Sequence, residues 1–256
     1  MHRGLRAEGR RPRTLALGIS LAARGGIARA AIALALIVAA ASAGAAWAQS
    51  ARIACRLPTI ASIAVAWSAG VMLAFGGALR AIPRDSDEGI IALLRARGVP
   101  IGAYVRGRTA GLVLVLALTV AGATLASGLA ATAVARPAGP AARAAVAALA
   151  YALAFSATLG PLALAALGAR TRRGGYLSLI AVLVVPELAT PWTRGLVPEG
   201  WQELTSIPAA LEAVRAGVLS PRTEGAHMAR AFAGLLAVIV GSLFVVRARV
   251  EREARA

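Results

Sequence analysis

Residues 85–108, DSDEGIIALLRARGVPIGAYVRGR, decide how this chain is read. They are its most polar internal segment, and they lie between two long apolar runs. Asp85, with Glu88 three residues on, has the acidic spacing of a capping box at a helix N-terminus. Ile90, Ile91, Leu93 and Leu94 then form a short apolar face, and Arg95 and Arg97 suit the negative end of the helix. Gly98 can stop that helix and Pro100 can open the next. The spacing predicts a chain that leaves the membrane, makes one short amphipathic helix along its surface and re-enters. That helix reads either as a well-capped connection or as a docking helix for a soluble partner.

Outward from this segment the sequence divides into six apolar runs. They cover about 27–48, 57–79, 110–135, 144–169, 176–191 and 231–246, each near the length a bilayer-crossing helix requires. The predicted fold is all-α: a polytopic six-span transmembrane helix bundle, residues 27–247, with a short cytoplasmic helix in the loop 80–108 between spans 2 and 3. Before it stands a basic N-terminal segment, 1–26, in which 14–23 read as a surface helix or as part of a disordered basic tail. After it comes the tail 248–256. The first run ends Ala46-Trp47-Ala48, which resembles a signal-peptidase site, but its apolar length favours a retained span. In the fourth run Gly160-Pro161 predicts a kink. The fifth is short and ends in PELATPW, with Pro186, Glu187 and Pro191 making it the least regular of the six. Residues 192–228 read as a structured, partly re-entrant outer segment, with a helix opened by Pro208 and stopped near Ser220-Pro221.

Composition supports a membrane domain. Of 256 residues 59% are hydrophobic and 15% charged, against roughly 45–50% and 25% in soluble domains. The net charge of +17 does not imply nucleic acid, because aromatics are only 4% and the 28 basic residues, all Arg, sit at the ends of runs and in links. Without lysine the chain has no P-loop for ATP, and the single Cys55 excludes an internal disulfide or a multi-cysteine metal site. With both termini cytoplasmic, 20 of the 28 Arg fall on the inner side and 8 on the outer, as the positive-inside rule requires. The loop 80–108 then faces the compartment that holds ATP.

On these residues the chain resembles the ABC-2-type transporter permeases. Glu88, Gly89, Leu93, Leu94, Val99, Pro100, Gly107 and Arg108 match the segment after the family's second span: an acid, Gly, a Leu pair, a turn before Pro, and Gly with a base entering span 3. The family usually has Lys where this chain has Arg108. A second stretch, RRGGYLSLIAVLVVPELATPW, with Arg173, Gly174, Gly175, Pro186 and Pro191, is similar to the fifth-span region of the haem-exporter B subunit of cytochrome c maturation. The Ala-Lys and Ala-His-Trp of that subunit's third span are here Gly107-Arg108 and Ala110-Gly111-Leu112.

The resemblance implies a permease subunit of an exporter in the bacterial cytoplasmic membrane. ATP and Mg would be bound by a separate ATPase subunit, this chain carrying no cofactor, and a second permease copy, identical or different, would complete the path. Asp85, Asp87, Glu88, Gly89, Leu93, Leu94, Arg95 and Arg97 would couple to the ATPase. A haem-exporter-like role and a non-transporting scaffold are the alternatives. Glu187, the one carboxylate embedded in an apolar stretch, and His227, where the outer segment meets the last run, are candidates for the substrate path. No metal site is expected. With no H-E-x-x-H or G-x-S-x-G and no His or Asp in a span, an intramembrane hydrolase is disfavoured.

Overall fold

The computed structural model describes residues 14–48, 55–168, 172–193 and 196–253. The outermost basic residues of both ends, the link 49–54, Arg170 and Arg194 lie outside them. Every regular element among the described residues is helical. In order they are α1 (Thr14–Ala23), α2 (Gly26–Ala48), α3 (Leu57–Val65), a π-helical turn (Ala66–Gly70), α4 (Val71–Ala78), α5 (Ala81–Asp87) and α6 (Ile90–Ala96). Then follow α7 (Ile101–Val134), α8 (Ala138–Leu167), α9 (Arg172–Leu183), α10 (Val185–Thr193), a 3-10 turn (Glu199–Leu204), α11 (Ile207–Leu219) and α12 (Pro221–Glu253).

Six helical stretches are long and apolar enough to cross a membrane: Gly26–Ala48, Leu57–Asp87, Ile101–Val134, Ala138–Leu167, Gly174–Trp192 and Pro221–Glu253. They make this a multi-pass membrane protein. Apolar all round, such helices gain nothing from the hydrophobic effect in lipid and associate through close packing of small side chains. Span 1 shows this directly: Ala28, Ala31, Ala35, Ala39, Ser42 and Ala46 make one buried stripe at helical spacing, while Leu36, Ile37 and Trp47 on the other face are exposed.

Span 4, α8, is the hub. It packs against the helices of spans 2, 3, 5 and 6 and against α11. Phe155, Leu164 and Leu167 are among its fully buried side chains. Phe155 meets Trp67 edge to face at 5.4 Å between ring centres, and Trp67 Nε1 donates to Tyr151 Oη at 2.8 Å. Trp67 sits in the π-helical turn, whose Gly70 lets span 2 approach: a Cβ there would lie 2.8 Å from the Phe155 ring. The helix of span 4 runs unbroken through Pro161.

Span 5 is broken. Pro186 has no N–H to bond back to Val182 and its ring crowds that turn, and the helix divides at Val184 into α9 and α10. The chain after span 5 then turns back: Ala210, Leu211, Val214 and Gly217 form the buried face of α11, which packs between spans 4 and 6. Pro208 stands in its first turn, and Ser220 ends it. On the partly exposed face Glu212 pairs with Arg215 through both Nε and Nη2, and that hydrogen bonding raises the pKa of Arg215.

Candidate functional site

The most unusual chemistry lies at the junction of spans 2 and 3. Span 2 bends sharply after Leu79. Arg80 adopts a left-handed backbone, φ 51°, the only positive φ outside glycine among the described residues, and its N–H donates to Leu167 O at 2.9 Å. For a side chain other than Gly that conformation costs roughly 1–2 kcal/mol. The bend redirects α5 across the end of the bundle, so that Asp85 points inward.

Asp85 is therefore not the N-cap that its spacing with Glu88 suggests. It lies in the last turn of α5, fully buried. Tyr104 Oη donates to Asp85 Oδ2 at 2.5 Å, and Arg108 Nε lies 3.1 Å from the same oxygen. That second contact is ionic rather than a hydrogen bond, since Arg108 Nε and Nη1 and Asp85 Oδ1 have no hydrogen-bond partner; Arg108 Nη2 donates to Gly77 O at 3.3 Å. Two ions out of water stay charged only by facing each other, and this demand outweighs a cap worth about 1 kcal/mol. The helix that Asp85 was expected to open begins after Gly89 instead, whose left-handed φ of 73° starts α6 with no side-chain cap.

Helix α6 ends as its sequence predicts. Gly98, φ 69°, donates to Arg95 O, and Val99 N–H reaches Leu94 O, both at 2.9 Å. This is the Schellman arrangement. Pro100 then caps α7, which starts at Ile101, well before the apolar run at 110, so the N-terminal end of span 3 carries Tyr104 and Arg108 one helical turn apart on one face.

A third element closes the cluster. The segment 14–23 forms helix α1, and this helix lies across span 3 rather than floating beside it. Glycines make the crossing possible. A Cβ on Gly107 would lie 2.6 Å from Thr14 Cβ, and one on Gly18 or Gly111 would strike the opposing backbone. Thr14, Leu17, Gly18 and Leu21 cover Tyr104 and Arg108 so tightly that no water fits between. At the rim Arg24 donates to Glu88 Oε2 at 3.0 Å.

The remaining predicted residues are scattered. Asp87 and Glu88 are exposed at the end of α5; on α6 Leu93 is 52% exposed, Leu94 is half-buried, and Arg95 and Arg97 point outward. Of the second matching stretch, Gly175 packs closely on span 4, where a Cβ would lie 2.9 Å from Ala166 O, and Gly174 is exposed. Pro186 follows the break in span 5 and Pro191 lies inside α10. Glu187 is exposed and accepts a 2.6 Å hydrogen bond from Ser206, which also caps α11 by accepting from Ala209 N–H at 3.1 Å. His227 Nδ1 lies 3.2 Å from Arg230 Nη2 on its own helix. Among the described residues no three of His, Cys, Asp and Glu converge as metal ligands would.

Ser206 thus ties the broken span 5 to α11. Ser206→Ala removes cap and tie together, and is expected to lower stability by about 1–2 kcal/mol. Glu187→Gln keeps an acceptor and should cost less. Chemical unfolding of both variants checks this; an undisturbed Ser206→Ala protein contradicts the cap.

Reading the sequence alone missed the Asp85–Tyr104–Arg108 cluster. The available signal was an arginine and a tyrosine four residues apart beside two glycines, also four apart, at the mouth of an apolar run. No family model matches this chain, and no curated protein matches it.

Proposed function

We propose that this chain is the membrane-spanning permease subunit of an ABC exporter, driven by an ATPase on a separate chain. The observation that carries the reading is the setting of α6. It is a short helix with Leu93 exposed, fixed at its start by Gly89 and at its end by the Gly98–Val99 turn, directly between spans 2 and 3. The buried Asp85–Arg108 pair makes the flanking turns of both spans one body. A partner that displaced α6 would move the ends of both spans as a rigid unit. A flexible loop would absorb the same push. In this reading Asp87, Glu88, Leu93, Leu94, Arg95 and Arg97 form the surface presented to the ATPase from the cytoplasm, and a second permease copy completes the path.

The test is substitution at exposed positions. Leu93→Asp with Leu94→Asp, or Glu88→Arg, should leave the protein inserted and folded while ATPase association and permease-stimulated ATP hydrolysis fall by about tenfold or more, a loss of at least ~1.4 kcal/mol. Glu88→Arg also breaks the exposed bridge to Arg24, but such a pair contributes only about 0–1 kcal/mol, so lost folding is not the expected outcome. An ATPase that copurifies undiminished with these variants overturns the proposal.

A further inference from the structure

Spans 4, 5 and 6 leave a cleft of about 360 Å³ between them, within the roughly 300–1,000 Å³ that small ligands occupy. It lies toward the C-terminal ends of spans 4 and 6, and its wall changes character along its length. Arg249 stands at the rim, just past the apolar run that ends at Val246. Ser242 lies two helical turns deeper on the same helix, and Ser178 of span 5 lines the same space. Val182, Val238 and Gly241 complete its apolar depth. A Cβ on Gly241 would have nothing within 4 Å. Two polar groups in this cleft are open rather than sealed. Ser242 is 6% exposed, and its hydroxyl has no hydrogen-bond partner among the described residues. Ser42, Ser156 and Thr158, buried like it, donate back to carbonyls of their own helices. Thr109 Oγ1 and Ser127 Oγ also lack partners, but both are shut off from water. Ser242 Oγ is not, and the cleft is the space that it lines. Arg249 uses only Nη1, in a 3.5 Å contact with Ala166 O. The rest of its guanidinium makes no ion pair among the described residues, and none of it is sealed from water. Glu251, two residues on, is turned to Arg247.

A ligand that satisfies this wall is anionic at the rim, a hydrogen-bond acceptor further in and apolar at depth. A glycerophospholipid has that order: phosphate, ester carbonyl, acyl chain. Guanidinium donors match phosphate oxygens, and basic pockets between spans hold anionic headgroups. The depth agrees, since the end of an apolar run is the headgroup zone. We propose that this cleft holds one glycerophospholipid, its phosphodiester on Arg249, an ester carbonyl accepting from Ser242 Oγ and an acyl chain along Gly241 and Val238. The inference uses only the placement of the spans in a membrane and is independent of what α6 docks.

Native mass spectrometry of the full-length protein, titrated with dimyristoyl-phosphatidylglycerol, tests it. Wild type should bind one lipid about tenfold more tightly than Arg249→Gln or Gly241→Leu, whose added side chain fills the cleft. Arg106→Gln, at an exposed arginine outside the cleft, should be unchanged. Ser242→Ala reports on the hydroxyl. Without lipid it should melt no lower than wild type, because it removes an unpaired group, while the rise in melting temperature on adding lipid should shrink. Equal lipid affinity in wild type, Arg249→Gln and Gly241→Leu overturns the site. Inorganic phosphate, titrated in parallel, separates two sources of one chemistry: phosphate that binds as tightly as the lipid, with the same dependence on Arg249, overturns the lipid assignment. So does a dimer of the chain that excludes lipid and that Gly241→Leu dissociates, since a second copy then fills the cleft. If Gly241→Leu does not fold, Arg249→Gln and Ser242→Ala carry the comparison, and lipid affinity equal to wild type in both overturns the proposal.

Discussion

Asp85→Ala is expected to destabilise the folded chain by about 3–5 kcal/mol, the usual cost of removing one partner from a buried ion pair. The reason is what it leaves behind. Arg108 is 2% exposed, lies beneath α1 in a gap too narrow for water, and would keep its charge with only a 3.3 Å contact to Gly77 O. Tyr104 would lose its only acceptor there. Asp85→Asn should fall between, since its amide oxygen can still accept from Tyr104 while the charge is gone. The decisive variant is the double one. Asp85→Leu with Arg108→Met removes both charges and replaces them with side chains of similar bulk, and buried pairs exchanged this way are often neutral or stabilising. Denaturant unfolding of wild type, Asp85→Leu, Arg108→Met and the double variant should therefore show strong non-additivity. A single Asp85→Ala variant within ~1 kcal/mol of wild type would show that the pair is not held dry in the folded protein, because only an ion that can reach water tolerates the loss of its partner.

The same cluster marks the limit of what the sequence disclosed. Six apolar runs became six helical stretches long enough to cross a membrane because length and apolarity are properties of each run alone. The end of α6 was legible for the same reason: Gly98 and Pro100 act on their immediate neighbours. The start of α6 was not. An acid before a helix and an acid beneath a helix have the same letters, and the choice between them belongs to Arg108, on another helix. Asp85 read locally is a cap; read with Arg108, it is half of a buried pair. Glu88, its expected companion, instead meets Arg24, just beyond α1. The N-terminal segment was legible in part: the helix over 14–23 is one of the two forms its composition allowed, a surface helix or a disordered tail. Its docking depends on Gly18 matching Gly107 and Gly111, a correspondence between distant stretches. The π-helical turn around Trp67 had no sequence signal at all.

Adding side chains at that glycine contact should separate α1 from the bundle. At Gly18 even a methyl group would meet the Gly107 carbonyl, and at Gly107 it would lie 2.6 Å from both Thr14 Cβ and Thr14 O. The obstacles are backbone atoms, which cannot rotate aside as a side-chain end can, so overpacking should cost at or above the usual 1–3 kcal/mol. Gly18→Leu, or Gly18→Ala with Gly107→Ala, is then expected to abolish amide-exchange protection across Thr14–Ala23 while the spans stay protected. Gly122→Ala is the control: it lies on the same helix α7 with nothing within 4 Å of the added methyl, and a helical Gly→Ala change should be neutral or stabilising by about 0.5–1 kcal/mol. The consequence for the ion pair distinguishes displacement of α1 from simple local strain. Once α1 lifts, water reaches Tyr104 and Arg108, and a hydrated arginine no longer needs its partner. Asp85→Ala should therefore cost several kcal/mol in wild type but only about 1 kcal/mol or less in the Gly18→Leu background. Retained protection of Thr14–Ala23 in Gly18→Leu would show that α1 does not dock on span 3. An unchanged cost of Asp85→Ala after α1 has lifted would show that the spans alone keep the pair dry.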